Sequence, residues 1–139
     1  MDRLFRQTCG RAAETSAGTL FVEWQRPWDG PLQLNKITTD APPVCRICLP
    51  LAFRSCPFLR DEKTGVVLLV RKSVLSGVGG TIYHVSDDLE RWIPSEEDTY
   101  SSFYTPRHPG MLSQRSYREL RGVTLLETNE IPPALLAAN

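Results

Sequence analysis

Four cysteines constrain this 139-residue chain more than any other feature: Cys9, Cys45, Cys48 and Cys56, the middle two spaced Cys-x-x-Cys. Structural zinc is held tetrahedrally by soft ligands, usually brought as two pairs from separated segments, and Cys45-x-x-Cys48 has the spacing of one such pair. The opening Met1-Asp2-Arg3-Leu4-Phe5-Arg6 has neither the apolar stretch nor the small-residue cleavage site of a signal peptide. No apolar run approaches the ~20 residues needed to cross a bilayer. The expectation is a cytoplasmic protein with no membrane partner. Clustered thiols in a reducing compartment point to metal ligation or redox chemistry rather than disulfides.

Cys9 stands just before Gly10, and Cys56 follows Cys48 by about two helical turns, on a similar helix face. All four thiols are the expected ligands of one structural zinc ion. Two alternatives stand beside that arrangement. In one, three cysteines act with His84 or His108. In the other, the cysteines are small buried apolar residues and no metal binds. A thioredoxin-like pair lacks its context, because no βαβ pattern surrounds the Cys-x-x-Cys.

By length this is one domain. An apolar fraction of 41% permits a core, while eleven prolines and nine glycines predict short elements joined by many loops. The fold expected is α+β, a small antiparallel sheet with two or three short helices and a zinc knuckle. Residues 1–60 form its cysteine half, residues 61–130 a hairpin, long loop and helix, and 131–139 a loose tail.

Thr19 to Trp24 is a β-prone run, and Leu32 to Ile37 alternates as a short edge strand would. Pro50 suits the first turn of a helix over roughly 49–56, stopped by Pro57, after which Phe58 and Leu59 pack inward. Gly65 to Arg71 is a continuous β-branched run of the kind found in central strands. Ser76-Gly77-Val78-Gly79-Gly80 reads as a turn joining it to a strand over 81–86, the two pairing as an antiparallel hairpin. Asp87 to Pro109 reads as irregular. Ser113 and Gly122 bracket a helix over 114–121, and a last strand covers 123–127.

The run Pro42-Pro43-Val44-Cys45-Arg46-Ile47-Cys48 and the later Cys56-Pro57-Phe58-Leu59 carry a family resemblance. The chain resembles small uncharacterised proteins of actinobacteria and their phages. Those have an N-terminal Cys-x-x-Cys-Gly, a Pro-Pro segment with Cys- or His-x-x-Cys, and a Cys-Pro-x-Leu. Leu4 to Ala12 is similar to their first knuckle, with Arg6 where one cysteine would stand. Val70 to Ser73, Gly77-Val78 and Ile82-Tyr83 fit the same pattern, so the similarity spans residues 3–85. The resemblance implies a zinc-binding fold of unknown role. The departure at Arg6 removes one ligand of the usual two-pair ligation.

Sixteen basic and sixteen acidic residues cancel, so the chain as a whole lacks the basic footprint of a non-specific nucleic-acid binder. An acidic stretch (Asp87, Asp88, Glu90, Glu96, Glu97, Asp98) precedes a basic one (Arg107, His108, Arg115, Arg118, Arg121). Arg115 and Arg118, three apart on the expected helix, form with Arg107 and Trp92 the candidate binding surface. His84 with Asp87 and Asp88 is the candidate acid–base site. Gly77-Val78-Gly79-Gly80 lacks the spacing and the following helix of a phosphate-binding loop. The function expected is a non-enzymatic, zinc-stabilised accessory or interaction protein with a protein partner. The alternatives are a small enzyme built on His84 and Asp87, and a nucleic-acid-binding regulator using the basic helix.

Overall fold

The computed structural model describes residues 9–25, 30–57, 59, 65–105 and 110–126. Five strands and one helix make up its regular structure: β1 (Thr19–Trp24), β2 (Ile37–Thr39), α1 (Leu49–Ser55), β3 (Gly65–Val85), β4 (Trp92–Ser102) and β5 (Met111–Leu126). The expected α+β class is therefore corrected to a mostly antiparallel β-sheet with a single short helix among the described residues. The sheet runs β1-β3-β5-β2, with β4 also paired to β3. The chain divides into two compact units. One comprises Met1–Ile37, Ala41–Ser73 and Leu120–Asn139, the other Thr38–Asp40 and Val74–Glu119.

In the first unit the β-branched run of β3 pairs antiparallel with β1, Phe21 opposite Leu68 and Val22 opposite Val67. Successive strand side chains point to opposite faces, and here both faces are covered. Phe21, Leu68 and Val70 pack with Ile37 and Leu120 on one side. Leu20, Val22 and Val67 pack with Leu49 on the other, where Phe53 and Leu59 join them. That double burial is why the run shows no alternation. The helix, with Pro50 in its first turn, lies where Pro50 and Pro57 place it. Phe53 closes over Gly65, where an added Cβ would stand 2.6 Å from its ring. Phe58 lies outside the described residues.

Four local expectations fail. The glycines of 76–80 make no turn: β3 continues unbroken through them to Val85. None of the three has the positive φ that a hairpin turn would ask of it. They are glycine because neighbours lie on them. A Cβ at Gly77 would sit 2.7 Å from the Tyr100 ring, and one at Gly79 2.5 Å from the Tyr117 ring. The two tyrosines meet edge to face, ring centres 5.1 Å apart. Bulky rings laid over strand glycines restore the packing that the missing side chains forgo.

The hairpin partner of β3 is instead β4, in the stretch expected to be irregular; Val85 pairs with Trp92. The short edge strand is Ile37–Thr39 rather than 32–37.

The helix expected over 114–121 is strand, part of β5. Tyr117 and Leu120, three apart, look like one helical face. In the strand they point opposite ways, Leu120 into the core and Tyr117 onto Gly79. Gly122 does take the left-handed conformation expected of it (φ 63°), but within a strand. Leu120 and Val123 pack against the same cluster, which an odd spacing forbids in a regular strand. The left-handed Gly122 stands between the two.

Leu68→Ala is expected to cost about 2–5 kcal/mol in urea unfolding, the range for emptying a fully enclosed leucine site. Gly79→Ala is expected to destabilise through its collision with Tyr117. Combined with Tyr117→Ala it should cost clearly less than the two single changes summed, a coupling that a glycine in a free turn would not show.

Candidate metal centre

Cys45 and Cys48 enter the first unit through a short tether. Val44 donates its N–H to Leu20 O at 2.8 Å, an isolated bridge that ties the Cys-x-x-Cys to β1. The turn after Cys45 then hands the chain to α1, with Leu49 N–H on Cys45 O at 2.8 Å and Ala52 N–H on Cys48 O at 2.9 Å. Cys48 is the N-cap residue, and its side chain makes no cap hydrogen bond, which leaves the sulfur available.

On the other side, Gly10 follows Cys9 with φ 64°, a conformation that glycine adopts without strain. A reciprocal pair of 3.1 Å backbone hydrogen bonds between Thr15 and Gly18 turns the chain back into β1.

The result is that Cys9, Cys45 and Cys48 converge, their sulfurs all within 4.8 Å of one another. Cys45 and Cys48 are buried and Cys9 is exposed. Cys48 N–H points at Cys45 Sγ, 3.3 Å away. An amide aimed at a sulfur orients it for a cation. These three thiols are compatible with a bound metal ion.

The electrostatics agree. Hydrogen bonding with Cys45, burial, and the nearness of Cys9 together push the Cys48 thiol up to about 11, from an ordinary 9.0. Three negative sulfurs this close repel one another unless a cation sits between them. The raised Cys48 thiol keeps its proton at neutral pH, and a metal ion would displace it.

Cys56 does not join the cluster. It is the C-cap of α1, with its N–H bonded to Ala52 O at 3.0 Å. Facing the same way as Cys48 is not enough, because two helical turns separate them along the axis. Neither does His84 join; it lies exposed in β3 opposite Ile93. His108 and Arg107 are outside the described residues.

The acid–base candidates are otherwise employed. Asp88 accepts hydrogen bonds from the Ser86 hydroxyl and, at 3.1 Å, from Glu90 N–H, which hold its carboxyl below the usual range. Ser86 N–H also reaches Arg91 O at 2.8 Å. Asp88 thus builds the turn between β3 and β4. Asp87 is exposed beside it.

The arginine stripe does not form, since β5 is no helix. Arg115 reaches Asp40 at 3.1 Å and also pairs with Asp98. Asp98 holds a left-handed φ of 53° where the β3–β4 register slips between Gly80 and Ile82. Arg118 is half-buried in β5.

Trp92, a candidate binding residue from the sequence, does frame a cleft in the second unit, but its neighbours there were not foreseen. Tyr83, Trp92, Gly110, Met111 and Leu112 line an open hollow of about 350 Å³, with Trp92 68% and Leu112 60% exposed. Recognising 111–126 as a strand would have been the signal, but its apolar residues are too sparse to alternate.

Comparison with protein-family models, with curated proteins and with solved structures returns no match. No helix among the described residues is long and apolar enough to cross a membrane.

Metal analysis of the purified protein is expected to find a bound metal ion, lost in Cys45→Ser and in Cys48→Ser. Affinity should fall as pH drops, because protons compete for the sulfurs. The metal-free protein should show the opposite trend in stability. Its folded state holds the Cys48 proton more tightly than the unfolded chain does, so stability is full below about pH 9 and declines as pH rises through about 11. Unfolding midpoints measured against pH, with and without added metal ion, check both signs.

Proposed function

We propose that this chain is a non-enzymatic interaction protein in which a structural zinc ion braces the first unit and the second unit carries the contact surface. The observation that carries the zinc is the convergence of Cys9 with Cys45 and Cys48, from segments far apart in sequence. Thiolate donors select zinc over magnesium or calcium, and a thiol-rich centre without haem or iron–sulfur spacing fits a structural ion. The Cys45-x-x-Cys48 likeness to the actinobacterial and phage proteins supports the same reading.

The contact surface is the Trp92 cleft. An exposed tryptophan beside Tyr83, Met111 and Leu112 offers the aromatic and sulfur contacts that anchor a partner side chain. The turn before Trp92 and the strand that carries it are predominantly acidic. Asp87, Asp88, Glu90, Glu96, Glu97 and Asp98 are all exposed, with Arg91 the sole basic residue between positions 87 and 98. The partner that complements this surface is a basic protein segment with an apolar anchor residue.

The enzymatic alternative has less behind it, because Asp88 is committed to its turn and His84 is exposed. The nucleic-acid alternative loses its basic helix, and Arg115 is engaged by two carboxylates.

Selection from a displayed random-peptide library against the zinc-loaded protein should enrich Lys- or Arg-flanked aromatic or aliphatic residues. Binding of the selected peptides should drop at least tenfold in Trp92→Ala and weaken with added salt. Enrichment of acidic peptides, or no enrichment at all, would remove the cleft as the contact surface.

A further inference from the structure

We infer that, among the described residues, the ion is held by three sulfurs and has a fourth coordination position facing solvent, open to a small neutral nitrogen donor of the imidazole class. The inference rests on the metal reading proposed above and concerns how that site is completed.

The chain has four cysteines, so a fourth sulfur could only be Cys56. Helix α1 forbids it. Cys48 caps one end and Cys56 the other, and eight residues at 1.5 Å each separate them by about 12 Å along the axis. Two sulfurs on one zinc, each about 2.3 Å from the metal, are at most about 4.6 Å apart. A cysteine side chain, one carbon long, does not bridge the difference. The helix is pinned at both ends by the Ala52 to Cys48 and Cys56 to Ala52 hydrogen bonds, 2.9 and 3.0 Å. Bringing Cys56 to the ion would mean unwinding α1 and withdrawing Leu49 and Phe53 from the second core cluster.

The open side is set by burial. Cys45 and Cys48 are enclosed, whereas Cys9 is exposed, so the side of the cluster that carries Cys9 is the one turned to solvent. Charge sets the preferred ligand. Three thiolates on a divalent ion leave the site with one net negative charge, so a further anion is repelled and a neutral donor is favoured. Water fills the position at rest, and imidazole displaces it without any change in oxidation state.

The test uses the full chain loaded with cobalt(II), whose visible spectrum reports both the number of thiolates and the fourth ligand. Imidazole is expected to shift the ligand-field bands saturably while the thiolate-to-cobalt charge-transfer band persists. Cys56→Ala should leave both features unchanged. X-ray absorption on the unmutated zinc protein, which needs no variant to fold, should count three sulfurs and one nitrogen or oxygen. Four sulfurs, loss of the charge-transfer intensity in Cys56→Ala, or indifference to imidazole would overturn the open position while leaving the metal site in place. Removal of a nitrogen ligand from the untreated protein by His84→Ala or His108→Ala would overturn it equally. Failure of the full chain to bind cobalt or zinc would instead end the metal reading itself.

Discussion

The structure depends on β3 being wanted on both of its faces. Its first third, Gly65 to Val70, lies between two apolar clusters, with Leu68 and Val70 facing one and Val67 the other. Pairing with β1 supplies the matching residues of each cluster in register. Burial on both sides removes water from most of that segment's apolar surface and leaves its backbone polar groups to be satisfied by neighbouring strands. The remaining elements of the first unit answer to that demand: β5 brings Leu120 to one face, and α1 brings Leu49 and Phe53 to the other.

The cysteine cluster follows from the same packing. Leu49 is buried against β3, so α1 must start beside the sheet, and Cys45 and Cys48 stand at that start. The bridge from Val44 to Leu20 fixes their height along β1. Cys9 arrives through the tight turn that leads into β1. A metal ion would close a loop whose ends the core has already brought together, so little conformational entropy remains to oppose binding. Helix α1 also decides which cysteine is left out, because its rise carries Cys56 away from the others.

In the second unit small and large residues exchange places across the sheet. Gly77 and Gly79 leave room on β3, and Tyr100 from β4 and Tyr117 from β5 fill it and meet each other. The Tyr100 hydroxyl reaches Ser76 O at 3.3 Å. A glycine-rich segment that locally suggests a turn is thereby held extended. Asp88, by closing the Ser86–Arg91 turn, fixes the start of β4 and so the position of Trp92 at the cleft.

Strands and helices with strong local signals were legible. The bounds of β1, the start of β3 and α1 between its two prolines follow from β-branched runs and from proline's missing N–H. So was the pairing of Cys45 with Cys48, because Cys-x-x-Cys spacing is local. What spans distance was not. Tyr117 and Leu120 carry the spacing of a helical face, and only the presence of Gly79 on one side and Phe21 and Leu68 on the other makes them a strand. The glycines of β3 are explained by rings from two other strands, and Asp88 by a hydroxyl two residues back rather than by His84. Local composition and spacing are enough to show which segments are apolar enough to be core and which thiols are close along the chain. Tertiary structure alone decided which faces those segments share and which three of the four thiols meet, because both depend on contacts between residues that local propensity never compares.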